Sequence, residues 1–282
     1  MTRRLFCFGF GFTARTFAHD FPDWTVMGTG RSPLPDHRRE PISVVPFRRN
    51  CPVENFTELA KDVTHILLSV PPDEAGDPVF DEMEAQIRAL PSVSWIGYLS
   101  TTGVYGNLEG DWVDENSPYN PSGSRGERRV DAEKSWLGLF DEFGLPVHIF
   151  RLPGIYGPDR NQLVSLKNGK ARRISKPGQI FSRIHVSDLA AILSASMNKP
   201  CPGSIYNIAD DAPAPPEDVV AYAAELLGVE PPPLQDFESA DLSPMARSFY
   251  ADSKRVSNEK INEELGIQLK YPTYREGLTA LL

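Results

Sequence analysis

The 282-residue chain has little cysteine: Cys7, Cys51 and Cys201 are its only three, and none stands in a CxxC or metal-ligand spacing. That excludes a disulfide-built scaffold and suits a reducing compartment. Five scattered histidines give a zinc or iron centre no support, and the acidic loop Asp111, Asp114 and Glu115 has no histidine or cysteine beside it and reads as solvated. Long apolar runs are missing too. Nothing approaches the roughly 20 residues needed to cross a bilayer. The apolar start at residues 5–8 is interrupted at once by glycines with no cleavage site after it, so it reads as a buried strand rather than a secretion signal. A cytoplasmic protein is expected, with no membrane partner. Basic residues are outnumbered 29 to 38, for a formal charge of -9. That balance argues against a nucleic-acid groove while leaving room for a local phosphate site.

Strands and helices alternate. Residues 5–8, 24–27, 65–70, 95–100 and 146–151 read as strands, and the nearly all-apolar stretch at 65–70 has the character of a strand covered on both faces. Helical spacing follows at 13–18, 82–90 and 128–143. The connections are too long for hairpins, which predicts a mostly parallel sheet with helices on both faces. The 26 prolines gather at junctions such as Pro71-Pro72, Pro215-Pro216 and Pro231-Pro232-Pro233, where they mark loops. Beyond residue 158 the rhythm loosens. An extended piece at 183–186, a helix at 189–197 with Ser187 or Asp188 as its cap, a strand at 204–208 and helices at 216–227 and 254–265 are expected. The division predicted is a dinucleotide-binding domain over 1–158 and a smaller C-terminal substrate lobe over 159–282, with elements near 184–208 returning to the main domain.

The sharpest chemical signal is Gly9-Phe10-Gly11-Phe12-Thr13-Ala14, a G-x-G-x-x-A pattern between a strand and a helix. Gly9 permits the tight turn, Gly11 leaves room for a pyrophosphate, and Ala14 allows close helix–strand packing. The first helical amides, around Phe12 and Thr13, face the phosphates. Ser69, at the end of the 65–70 strand, joins these cofactor contacts. An acid at the end of the second strand would select NAD; the chain has Thr29 and Arg31 there, with Asp36 following and Arg38 and Arg39 nearby. Arg31 is suited to clamp a 2′-phosphate, so NADP is the preferred cofactor and NAD the alternative.

Two further segments, Leu99-Ser100-Thr101-Thr102-Gly103-Val104-Tyr105-Gly106 and Arg151-Leu152-Pro153-Gly154-Ile155-Tyr156-Gly157-Pro158, resemble the sheet-edge signatures of the extended short-chain dehydrogenase/reductase superfamily. Arg183-Ile184-His185-Val186-Ser187-Asp188-Leu189-Ala190 and Tyr206-Asn207-Ile208-Ala209-Asp210 narrow the resemblance to its NAD-dependent epimerase/dehydratase-like branch. The resemblance covers most of residues 3–228. It implies a Rossmann-like fold and a catalytic hydroxyl on Thr101, with Thr102 as the neighbouring register. It also implies a tyrosine and, four residues on, a lysine. Here those positions hold Arg125 and Arg129. Arg129 keeps a cation for the nicotinamide ribose, but a guanidinium at Arg125 cannot donate a proton at ordinary pH and would bind an anion instead. The family's paired helices make a homodimer an option, against which the charged face of the 128–143 helix leaves a monomer open.

The expected function is that of a divergent NAD(P)-dependent oxidoreductase or epimerase-like enzyme acting on a small polar metabolite, a sugar derivative among the options. Thr101 would hold the substrate oxygen, and Tyr105, Tyr119, water or the substrate itself would supply the proton. Arg125, Tyr156 and Arg183 would contact the substrate. The formal Tyr250-x-x-x-Lys254 pair lies far along the tail and reads as coincidence. The rival readings are a noncatalytic NADP-binding sensor that has lost the proton relay, and a structural partner protein with an empty glycine loop.

Overall fold

The computed structural model describes residues 3–31 and 43–282. In chain order it contains β1 (Arg4–Phe8), α1 (Phe12–Asp20), β2 (Thr25–Gly30), β3 (Ser43–Pro46), α2 (Phe56–Leu59), β4 (His65–Leu68), α3 (Pro78–Arg88) and β5 (Trp95–Thr101). A 3-10 turn, Thr102–Tyr105, leads to β6 (Trp112–Val113), α4 (Ser124–Phe143), β7 (Val147–Leu152), β8 (Gly154–Tyr156) and α5 (Gln162–Lys167). Next come β9 (Arg173–Ser175), β10 (Arg183–His185), α6 (Val186–Asn198), β11 (Ile205–Asn207) and α7 (Pro216–Leu227). The chain ends with β12 (Leu234–Asp236), α8 (Pro244–Phe249), β13 (Arg255–Val256), α9 (Glu259–Leu265) and α10 (Tyr274–Thr279).

Seven strands form one sheet in the order β11-β7-β5-β4-β1-β2-β3, and the pairs joining β3, β2, β1, β4 and β5 are all parallel. This is the expected Rossmann-like α/β sheet flanked by helices. Every residue of β4 and β7 is buried, as strands covered on both faces require. The sheet grows outward in both directions from β1 and β4, so the order reverses between them, and such a reversal opens a crevice at the strands' carboxyl ends.

The chain forms two compact units that alternate along the sequence. The first comprises Met1–Ser100, Glu127–Arg151 and Ala190–Tyr206; the second comprises Thr101–Gly126, Leu152–Leu189 and Asn207–Leu282. The alternation follows from the sheet: β7 needs β11 beside it, and β11 begins more than 50 residues after β7 ends.

In the first unit α4 is tied to the sheet by a buried polar triad. The guanidinium of Arg151 on β7 donates to Glu133 through Nη2 at 2.8 Å and Nε at 3.1 Å, and the Ser100 hydroxyl donates to the same carboxylate. Glu133 and Arg151 are both essentially inaccessible. Asp77 caps α3 by accepting from the Val79 and Phe80 amides, and its second oxygen accepts the indole N–H of Trp136 on α4.

Two buried histidines line the same core. Trp95 stacks on His148 with centroids 5.7 Å apart, and Trp24 meets His65 edge-on at 4.7 Å. Burial pushes both imidazoles down to about 4. The neutral ring is also needed, because His148 Nε2 accepts the Cys201 amide at 3.0 Å. An unfolded histidine takes its proton near pH 6.5, whereas these resist until about 4, so stability is retained above 6.5 and lost as pH falls through that window. Urea midpoints measured at pH 7.5 and pH 5 should show a lower value at pH 5, with His148→Gln narrowing the difference.

The second unit carries short parallel pairs, β8 with β10, β9 with β12 and β6 with β13. Two expectations are corrected there. The helix predicted from residue 254 begins at Glu259, because Arg255 and Val256 are drawn into register with Trp112 and Val113. The α6 cap is neither Ser187 nor Asp188. His185 Nδ1 accepts the Ser187 amide, while the Asp188 carboxylate accepts the amides of Lys270 and Tyr271. Among the described residues no helix is long and apolar enough to cross a membrane.

Candidate functional site

The glycine turn sits at the sheet's reversal. Gly9 adopts φ +90°, and a β-carbon there would lie 3.3 Å from the Ser69 carbonyl carbon and the Val70 nitrogen. Only glycine fits both constraints. Its amide donates to Thr29 Oγ1 at 2.9 Å, and the Phe10 amide donates to the Thr29 carbonyl at 2.7 Å. Thr29, buried on β2, therefore braces the turn with both side chain and backbone. Gly11 differs: its φ of -97° is ordinary, and a β-carbon there would meet nothing within 4 Å among the described residues. It opens, among the described residues, onto free space at the N-terminus of the nine-residue α1, whose cap residue Gly11 has no side chain to cover the helix end. A pyrophosphate matches that arrangement, since helix N-terminal amides favour an anion and the missing side chain admits it.

The neighbouring positions serve the same turn. Ala14 and Thr13 are buried where α1 meets the sheet, and Phe12 is half-buried. Ser69 is half-buried at the end of β4, its amide donating to the Phe8 carbonyl at 2.8 Å. Arg31 is exposed immediately after β2. Asp36, Arg38 and Arg39 lie outside the described residues.

Arg125 and Arg129 both fall on α4, four residues apart, and diverge. Arg129 Nη1 donates to the Leu99 carbonyl at 2.7 Å and to the Tyr98 hydroxyl at 3.1 Å, laying its cation along β5. Tyr98, which the sequence did not single out, is fully buried, and burial pushes its pKa up. Arg125 is exposed, its guanidinium 5.5 Å from the centroid of the Phe249 ring.

In the second unit Thr101 is half-buried, and its Oγ1 accepts the Gly103 amide at 3.1 Å, capping the 3-10 turn. The hydroxyl proton stays available for a further acceptor. Tyr105 has no exposed surface, and its hydroxyl donates to Asn207 Oδ1 at 2.8 Å. Tyr119 is half-buried in the loop after β6. Tyr156 packs edge-on against His185 at 5.2 Å and presses its hydroxyl where Gly277 of α10 supplies no side chain; burial raises its pKa. Tyr250 and Lys254 take separate partners: Tyr250 lies 5.1 Å from the Phe237 ring, while Lys254 Nζ donates to the Gly106 carbonyl at 2.6 Å.

Arg183 is half-buried. Nη2 reaches the Ala214 carbonyl at 3.4 Å, the guanidinium lies 5.4 Å from the Tyr274 ring centroid, and the enclosed Nη1 has no hydrogen-bond partner among the described residues. Asp210, absent from the sequence candidates, is a near neighbour: its amide donates to the Arg183 carbonyl at 2.7 Å. Its motif Tyr206-Asn207-Ile208-Ala209-Asp210 was visible, but nothing in the sequence marked the carboxylate as buried.

A parallel sheet with a glycine turn at its reversal defines the chain as a Rossmann-like α/β protein. A dTDP-glucose 4,6-dehydratase (rfbB) from Bacillus anthracis str. Ames, in complex with NAD, shares that fold with a TM-score of 0.79 and 19% identity, covering 100% of this chain and 95% of its own. The chain belongs to one family with a functionally unknown conserved protein from Silicibacter pomeroyi DSS, to which it is 48% identical over 99% of this chain and 98% of that one, with a TM-score of 0.87. Protein YeeZ from Escherichia coli (strain K12) is 33% identical over 177 residues, which span 62% of this chain and 58% of YeeZ. No family model matches the chain.

Proposed function

We propose that the chain is an NAD(P)-dependent oxidoreductase of epimerase-like type acting on a small polar metabolite, with a sugar derivative among its candidate substrates. The observation that carries this reading is the open space at Gly11 beside the braced Gly9 turn, which a pyrophosphate would fill. Gly9, Gly11, Phe12, Thr13, Ala14 and Ser69 would form the dinucleotide cradle, with Thr29 holding its shape. Arg129 would offer its remaining nitrogens to a ribose. The bound nicotinamide would supply hydride chemistry. Thr101 would hold a substrate oxygen through its uncommitted proton, and Arg125 and Arg183 would take negative charge. Tyr119 or water would then be left to move the proton, because the Tyr105 hydroxyl is committed to Asn207.

NADP is the proposed preference, with Arg31 at the 2′-phosphate. Arg31→Ala is expected to weaken NADP about tenfold or more, as loss of a charge-assisted pair would, and to leave NAD within about twofold. Equal losses for both cofactors, or none, would remove Arg31 from that role. A second reading, a noncatalytic NADP-binding sensor, is favoured by one observation: arginine stands at the tyrosine position of α4. Nicotinamide absorbance across a panel of alcohols and carbonyl compounds separates the two. Substrate-dependent change supports the enzyme, and tight cofactor binding without turnover supports the sensor.

A further inference from the structure

Arg183, half-buried, and Asp210, buried, are two ionisable side chains of the second unit whose hydrogen bonding is incomplete. Arg183 Nη1 and Asp210 Oδ2 are both enclosed, and neither has a hydrogen-bond partner among the described residues. Asp210 is 1% exposed; its other oxygen accepts the Ala212 amide at 3.2 Å. Arg183 has only the long bond to Ala214 and the Tyr274 ring, and among the described residues no carboxylate lies within ion-pair distance of it. An enclosed guanidinium without a counter-ion is costly, and so is a buried donor without an acceptor. The backbone bond from Asp210 to Arg183 keeps the two residues side by side.

We propose that Arg183 and Asp210 form a binding site for a small anion, in which the anion takes Arg183 Nη1 and Asp210 keeps a proton while the anion is bound. The chemistry is a competition for one cation. Ionised Asp210 is the counter-ion that Arg183 lacks, and would repel an incoming carboxylate or sulfate; protonated Asp210 leaves the guanidinium open and offers an O–H donor to the same ligand. Anion binding therefore takes up a proton. Burial pushes the Asp210 carboxyl up to about 7, with Arg183 opposing, the Ala212 amide also lowering it, and Asp211 and Asp188 adding to the rise. Tyr156 on β8 faces both residues and stays neutral because burial raises it as well; Tyr274 faces Arg183 from α10. The site extends the substrate side of the reading above by naming an anionic group, and it stands whether or not the chain turns over a nicotinamide cofactor.

Sulfate is the probe, because its charge is constant between pH 6 and pH 8. Its affinity is read by calorimetry, and its place by the Arg183 Nε–H resonance in a ¹⁵N-labelled full chain. In the wild type, sulfate should shift that resonance at pH 6 and bind about tenfold more weakly at pH 8, the factor expected when a group titrating near 7 must carry a proton. Binding heats at pH 7 in two buffers of different ionisation enthalpy should show net proton uptake. Asp210→Asn should keep the pH 6 affinity and hold it to pH 8. Arg183→Met should abolish the binding; if that variant does not fold, the Asp210→Asn profile decides alone. A silent Arg183 resonance at pH 6, or an unchanged pH dependence in Asp210→Asn, overturns the proposal. Sulfate requires no cofactor, so these results are separable from failure of the oxidoreductase reading.

Discussion

Glu133→Ala is expected to cost about 3–5 kcal/mol of stability, because it strands the guanidinium of Arg151 in the core without its partner. Arg151 is 1% exposed, and its bonds to Glu133 run through both Nε and Nη2. The same substitution leaves the Ser100 hydroxyl without its acceptor at the end of β5. Removing both charges together should recover much of the loss: Glu133→Leu with Arg151→Met is expected to be less destabilised than Glu133→Ala alone, since desolvation of an ion pair offsets most of its attraction. Denaturant unfolding of the two variants measures this. Equal stability for wild type and Glu133→Ala would mean that the pair is not buried in solution.

Gly11→Val separates binding from folding. Its backbone angles suit any residue and a β-carbon has free space around it, so stability should change by no more than about 1 kcal/mol, the scale of an N-cap substitution. The valine would occupy the volume assigned to pyrophosphate, and affinity for NADP and NAD should fall on the order of a hundredfold, about 3 kcal/mol. Gly9→Val makes the contrasting case. There the positive φ and the contact with the end of β4 should lower stability as well as affinity. Fluorescence titration of reduced cofactor, paired with thermal melts, distinguishes the two. Undiminished cofactor binding by Gly11→Val would displace the proposed cradle.

The sheet was legible because its strands announce themselves locally. The all-apolar run at β4 and the strand-turn-helix around Gly9 are statements of neighbouring residues, and they were read without tertiary information. Thr101 was singled out by the resemblance to the extended short-chain dehydrogenase/reductase superfamily, while the local pattern ended the strand one residue earlier than β5 does. What escaped depends on partners distant in sequence. Nothing near Glu133 says that it meets Arg151 and Ser100, and nothing near Thr29 says that its hydroxyl receives the Gly9 amide. The stretch after Lys254 has helical composition, yet pairing with β6 claims its first residues. Tyr105 and Asp210 illustrate the same limit for chemistry: residue type suggested a proton donor in one and suggested nothing in the other, while burial gave each its actual surroundings.

The late arrival of β11 bears on how this molecule can be dissected. A fragment stopping at residue 158 would keep β7 but lose the strand lying against it, exposing a bare row of amides and carbonyls on an apolar ribbon, the kind of margin along which chains stick to one another. The first unit is thus complete only once translation has passed residue 207, and whatever guards that unfinished margin on the ribosome must do so for some fifty residues of synthesis.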